Sequence, residues 1–319
     1  MRGMFETMVL IKACEERVAK GLRTGEFAFQ FWPSRGQEAV AAGVMANLRA
    51  DDRLVTTYRG VHDLIAKGVP LAEIAGEMLG RETGACRGKG GTMHIGSPEV
   101  GAMLSTGIVG AGPPVAVGLA LAAKHHKSDR VVVVSFGDGA TNTGSFHEAM
   151  NLASLWNLPV LFVCQNNGYA EMTPTSKTMK IPQVVDRALA YDMPGRRVDG
   201  NDPNAVHQAT AEAVERARSG GGPTFLELTT YRFSGHYFGD TMTYMPPEEL
   251  KAAIAADPVT RYGQRLVDEG LLNEASLAAI EKAALEEVDA AFRAAVDSPL
   301  AADDEIQRDV YDTSVEGAR

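Results

Sequence analysis

The sequence predicts an α/β fold: a parallel sheet with helices on both faces, followed by a helical C-terminal extension. Three observations predict it. Continuous apolar runs such as "VVVVSF" and "LPVLFVC" alternate with segments of helical period, the pattern of strands covered on both faces by crossover helices. Two of these runs stop abruptly in small polar residues, "GDGATN" and "QNNGYAE". Beyond residue 245 the apolar runs cease and a charged helical pattern takes over. We therefore divide the chain into an α/β domain over 1–245 and a helical extension over 246–319, packed on that domain or on a partner subunit.

The elements follow in order. Met4 to Arg23 has helical period, with Phe5, Met8, Val9, Cys14 and Val18 able to share a face. An aromatic stretch, "FAFQFWPSRGQEA", leads into a helix from Gln37 to Leu48, and "RLVTTYRG" reads as a short strand ending at Tyr58-Arg59-Gly60. Residues 80–113 are glycine-rich with few large apolar side chains, which predicts an ordered but irregular functional loop. Pro114 to His126 fits a helix with proline at its start. Val131–Phe136, Gly144–Trp156 and Pro159–Cys164 form a strand–helix–strand crossover unit. "RRVDGND" and "TFLELTTYR" read as two further strands flanking a helix from Pro203 to Ser219. After Tyr231 comes an irregular loop, then two or three charged helices between Pro247 and Val296 and a polar tail.

Bulk properties narrow the function. The 319 residues are 45% hydrophobic and 23% charged, ordinary values for a globular protein, and the net charge of −10 argues against nucleic acid or an anionic membrane as partner. The three cysteines, Cys14, Cys86 and Cys164, have no metal-ligand spacing and read as reduced thiols of a cytoplasmic protein. The N-terminus mixes acids and bases where a signal peptide would be apolar, and no segment has the length of a membrane span.

In a parallel sheet all strand carboxyl ends lie on one edge, and ligands bind in the crevice there. Asp138 and Asn167 stand at two such ends, joined by a single crossover. A carboxylate, an amide oxygen and a backbone carbonyl are hard donors suited to magnesium or calcium rather than zinc. Gly139 and Ala140 can offer backbone N–H groups to an anion, so the pair reads as a metal bridging protein to a diphosphate. "GDG" or "NNG" alone is an ordinary turn; it is their pairing across one crossover that points to a site. Other glycine motifs fail on spacing. "GACRGKGG" lacks the gap and the Ser or Thr after lysine of a P-loop, and "GDGATN" has Asn142 where a dinucleotide fingerprint needs glycine.

"GDG", twenty-six intervening residues and "NN" resembles the thiamine-diphosphate motif. With "TTYRGVHD", "GKGGTMH", "TGIVGAGPPVAVGLALA" and "YRFSGHYFGD", residues 4–250 resemble the alpha subunit of the thiamine-diphosphate-dependent 2-oxo acid dehydrogenases, including the acetoin dehydrogenases. The resemblance implies that Asp138 and Asn167 hold magnesium by their side chains and Tyr169 by its carbonyl. It implies that Gly139, Ala140, Tyr58 and Arg59 contact the diphosphate. The backbones of Gly107 and Val109 would hold the aminopyrimidine, with Val109 wedging the cofactor into a bent shape, although by residue type Val109 reads as core. His236 would lie over the thiazolium as a donor or acid–base group.

The implied reaction cleaves a 2-oxo acid or acetoin and passes the fragment oxidatively to a lipoyl-bearing acyltransferase. A beta subunit would supply the catalytic glutamate in an alpha2-beta2 heterotetramer, leaving this chain inactive alone. Two departures stand out. Trp32 occupies a position where the family often has histidine, which puts a pyruvate-like pocket in question, and the loop "YFGDTMTYM" lacks the serines of phosphorylated members and has Met245 after Tyr244 in place of arginine. A split-chain transketolase-like carboligase and a non-catalytic regulatory subunit of the same fold remain open. His62, His94 and Lys89 are expected to have no catalytic role, and Phe31 and Trp32 read by residue type as core.

Overall fold

The computed structural model describes residues 1–310. The tail residues 311–319, included in the expected extension, lie outside the described part. Helix α1 (Arg2–Thr24) ends at Gly25, whose left-handed backbone (φ 75°) closes the last turn. Helix α2 (Glu38–Met45) is buried along its whole length, which explains why its pattern shows no polar face. Strand β1 (Arg53–Thr57) follows. Two short helices, α3 (Val61–Lys67) and α4 (Leu71–Met78), then lead into the glycine-rich segment.

That segment differs from expectation. It contains β2 (Ala102–Thr106), parallel to β1 with Val55 opposite Leu104 and Thr57 opposite Thr106. As an edge strand it has only partly buried residues in its middle, so it lacks the apolar run that marks the central strands. Helix α5 (Gly112–His125) begins two residues earlier than expected; Pro113 and Pro114 fit its first turn, where a missing N–H costs nothing.

The central unit is as expected: β3 (Val132–Gly137), α6 (Gly144–Leu155) and β4 (Val160–Asn166). Thr143 caps α6 by accepting from the Phe146 N–H. A small antiparallel pair, β5 (Tyr169–Ala170) and β6 (Thr173–Pro174), and a helical turn α7 (Thr175–Thr178) come next. Strand β7 (Gly195–Asp199), helix α8 (Pro203–Arg218, capped by Asp202) and β8 (Thr224–Thr229) complete the sheet. Its order is β2-β1-β3-β4-β8-β7 and every pairing is parallel.

Alternation across the pleat explains the unbroken apolar runs. Val132, Val134 and Phe136 of β3 pack on the side of α5 and α6, while Val131 and Val133 pack with α2 and α8 on the other. In β4, Phe162 and Cys164 take the first side, Leu161 and Val163 the second. The C-terminal helices are α9 (Pro247–Ala255), α10 (Pro258–Asp268) and α11 (Glu274–Asp297). Val288 and Phe292 of α11 share an apolar cluster with Phe5, Met8 and Val9 of α1 and with Ile74 of α4. Among the described residues no helix is long and apolar enough to cross a membrane.

Candidate active site

Strands β3 and β4 pair in register, with Gly137 opposite Gln165. Their carboxyl ends therefore deliver Asp138 and Asn167 to one place. Beside them opens a cavity of about 440 Å³, lined by Tyr58, Arg59, Gly107, Val109, Gly139, Ala140, Asn167, Tyr169 and His236. Asp138 lies between the lining residues Gly137 and Gly139, with only 1% of its surface exposed. All ten residues singled out from the sequence thus meet at the carboxyl edge of the sheet, although they come from five separate segments of the chain.

The Asp138 carboxylate has one used and one unused oxygen. Oδ2 accepts a hydrogen bond from Thr175 Oγ1 (2.9 Å), whereas Oδ1 is buried without a partner. Burial raises its pKa, opposed by the Thr175 hydrogen bond. The turn that carries it, Asp138–Asn142, is tied back by Thr141 Oγ1, which donates to the Asp138 carbonyl (2.7 Å). Gly139 is required by space: a Cβ there would stand 2.7 Å from that of Ala170. Asn167 Oδ1 accepts from the Tyr169 N–H (3.2 Å), and its Nδ2 donates to Gln37 Oε1 (2.8 Å).

No cluster of three or more His, Cys, Asp or Glu among the described residues could hold a metal. A cation here would have one carboxylate, and its other positions would go to amide, carbonyl and ligand oxygens. That donor set fits magnesium, which dehydrates reluctantly and shares its shell with phosphates. The orphaned Oδ1 is the buried acceptor such an ion would satisfy.

Arg59, which also lines the cavity, is 8% exposed and has no carboxylate partner among the described residues. Its guanidinium donates to the carbonyls of Pro33 (2.7 Å) and His236 (3.0 Å). Burial, and then the charge of Arg232, lowers its pKa to about 10. Arg232, which sequence reading passed over, also lines the cavity at 1% exposure. It donates to the carbonyls of Ser234 (3.0 Å) and Glu171 (2.9 Å) and to the Tyr244 hydroxyl (2.8 Å). Two buried guanidiniums paired only with neutral groups make a site that favours an anion.

His236 is half-buried beside Arg59, with Nδ1 3.2 Å from the Arg59 guanidinium. Arginine can only donate, so Nδ1 is the acceptor and the proton sits on Nε2. Burial first, then Arg59, lowers the imidazole pKa below its ordinary value, keeping the ring neutral near pH 7. Its loop is anchored from within. Asp240 Oδ2 accepts from the His236 N–H (2.6 Å) and from the Tyr244 hydroxyl (2.7 Å), and that same hydroxyl accepts from the His236 N–H (2.9 Å). Met245, which stands where an arginine was expected to order the loop, is buried at 4%.

The remaining expectations come out case by case. Val109 is 53% exposed rather than core, and its neighbour Ile108 is 70% exposed. Phe31 is core at 2%, while Trp32 lines the cavity with its ring edge-on to Tyr58. His62 is fully buried against Gln165 Oε1 (2.8 Å), and Lys89 pairs with Glu305 (2.6 Å) and Asp309 (2.7 Å). Burial raises the pKa of Cys14 to about 12 and raises that of Cys164, so neither is a ready nucleophile. Gln37 had been read only as a helix start; it is 1% exposed and lines the cavity.

Comparison with known proteins follows the same line. Residues 6–303 match the family described as dehydrogenase E1 component. The chain is 42% identical over 309 residues to the alpha subunit of acetoin:2,6-dichlorophenolindophenol oxidoreductase from Bacillus subtilis, covering 97% of this chain and 92% of that one. It is 38% identical to the protein of the same name from Cupriavidus necator (97% and 93% covered). It is 34% identical to the pyruvate dehydrogenase E1 component subunit alpha of Porphyra purpurea (97% and 92% covered).

Proposed function

The chain belongs to the dehydrogenase E1 component family, and from that premise we propose that it is the alpha subunit of a thiamine-diphosphate-dependent dehydrogenase that cleaves acetoin or a 2-oxo acid. The observation that carries this reading is the convergence of Asp138 and Asn167 at adjacent strand ends, beside one cavity that two buried arginines also line. A divalent cation on one side and guanidinium on the other is what a diphosphate needs.

Asp138 Oδ1, Asn167 Oδ1 and the Tyr169 carbonyl would hold magnesium, and the N–H groups of Gly139 and Ala140 with Arg59 and Tyr58 would hold the phosphates. Gly107 and Val109 would grip the ring end of the cofactor. Bound there, thiamine diphosphate supplies the carbanion chemistry that breaks the bond next to the carbonyl. The residues of this chain bind, orient and move protons. His236 presents Nε2–H as a donor to the substrate oxygen, and its neutral ring can take a proton back. Trp32, Tyr58 and Met93 give the cavity an apolar wall, which suits a small neutral ketone such as acetoin.

The alpha subunit would work with a beta subunit that supplies the catalytic glutamate, in an alpha2-beta2 heterotetramer of the cytoplasm, and would pass its product to a lipoyl carrier. The test is co-expression with the beta subunit and dye reduction with acetoin, pyruvate and branched-chain 2-oxo acids. Activity that needs both subunits, thiamine diphosphate and magnesium is expected with at least one of them. Formation of a new carbon–carbon bond with an aldehyde, and no dye reduction, would support a carboligase instead.

A further inference from the structure

Residues 33–38 are held by a dense set of buried hydrogen bonds. The Glu15 carboxylate, 2% exposed, accepts from the N–H groups of Ser34 (2.7 Å) and Arg35 (3.1 Å) and from the Ser34 hydroxyl. Glu38, fully buried, accepts from the Gly36 N–H (3.0 Å) and from Arg35. Thr230 Oγ1 donates to the Gly36 carbonyl (2.8 Å), and Arg59 donates to that of Pro33 (2.7 Å). Gly36 itself has φ +97°, and a Cβ there would lie 2.2 Å from the Tyr231 carbonyl oxygen, so no other residue fits. Burying two carboxylates to fix one turn is costly. The residue this turn presents to the cavity is Gln37.

The hydrogen bonds of Gln37 can be deduced in sequence. The Tyr169 N–H is a donor, so the atom of Asn167 facing it is Oδ1. The other side of that amide is then Nδ2, and the atom of Gln37 facing it, 2.8 Å away, is Oε1. Gln37 Nε2 is left over: a buried donor with no acceptor, on a side chain that lines the cavity. Buried amide donors are rarely unpaired in a native protein.

We propose that Gln37 is a positioning residue of the site, with two tasks. Its Oε1 holds the Asn167 amide so that Oδ1 stays turned to the cation, and its Nε2 donates to the anionic ligand in the cavity. This rests on the functional reading above, which supplies the cation and the diphosphate.

Tryptophan fluorescence reads occupancy, because Trp32 lines the same cavity. The alpha–beta complex is titrated with magnesium at saturating thiamine diphosphate, and with thiamine diphosphate at saturating magnesium. Gln37→Met, which removes both groups at nearly constant volume, is expected to raise the magnesium half-saturation ~10–100-fold, the range seen when the partner of a metal ligand is lost. In an Asn167→Ala background the same change should add nothing further. Gln37→Glu keeps an acceptor for Asn167 and removes the donor. It should leave the magnesium half-saturation no higher than wild type while raising that for thiamine diphosphate about tenfold or more, by the same range.

Wild-type half-saturations in both variants, or magnesium losses that add independently to those of Asn167→Ala, would overturn the assignment. Should Gln37→Met fail to assemble with its partner, the thiamine diphosphate titration of Gln37→Glu decides. A wild-type complex that binds neither ligand would instead overturn the functional reading, and the two failures are told apart by that control.

Discussion

With Oδ1 unpaired and 1% of its surface exposed, Asp138 opposes folding whenever no cation is present. Its folded pKa is raised above the ordinary 3.8. The stability it contributes is therefore present below pH 3.8 and lost as pH rises through the folded value. At pH 7, Asp138→Asn should stabilise the ligand-free complex by roughly 1–3 kcal/mol, the cost of a buried unsatisfied group, and should abolish the further stabilisation by magnesium and thiamine diphosphate. Thermal melts with and without ligands measure both. His236 gives a second residue-scale outcome. Its pKa lies below 6.5 because of burial and Arg59, so stability from the neutral ring is present above pH 6.5 and is lost as pH falls through the folded value. The acid limb of kcat should accordingly fall below pH 6.5. His236→Gln should lower kcat ~10²–10⁴-fold, the usual range for an acid–base group, with thiamine diphosphate binding retained.

At the scale of elements, the glycine-rich segment after α4 is ordered by Glu77. This fully buried carboxylate accepts from the N–H groups of Cys86 (2.7 Å), Gly88 (2.9 Å) and Gly90 (2.6 Å). From outside, Arg87 and Lys89 pair with Glu305 and Asp309 near the end of the described chain. Their contributions should differ sharply. Glu77→Ala orphans three backbone donors and should cost on the order of 3 kcal/mol or more, with loosened protection of residues 84–94 in hydrogen exchange. Lys89→Ala removes a partly exposed pair and should cost under about 1 kcal/mol.

The elements themselves were unevenly legible in the sequence. The central strands carry their own signal, because each is apolar on both faces. Edge strand β2 and the short helices α3 and α4 do not, since five to eight residues hold too little periodicity. The ten candidate residues that the structure brings together were legible because strand ends and a family motif mark them. Gln37 and Arg232 were not, because what distinguishes them is a buried hydrogen bond and a buried charge without a carboxylate partner, both of which exist only after folding.

At the scale of the whole molecule, the proposed function makes the cavity one half of a site shared with a beta subunit. Val109, which lines the cavity, is 53% exposed and its neighbour Ile108 70%, and an exposed apolar pair of this kind suits a surface that a partner covers. The isolated chain should therefore be inactive and should bind thiamine diphosphate more weakly than the alpha–beta complex, as equilibrium dialysis of the two preparations would show. On the proposed reading, the orphaned carboxylate and the two buried arginines share one requirement: a divalent ion would stand between Asp138 and the diphosphate. Calorimetric titration of the alpha–beta complex with thiamine diphosphate, with magnesium present and absent, measures that most directly. Heat of binding is expected only with magnesium and should vanish in Asp138→Ala; binding that ignores magnesium, or survives intact in that variant, would contradict it.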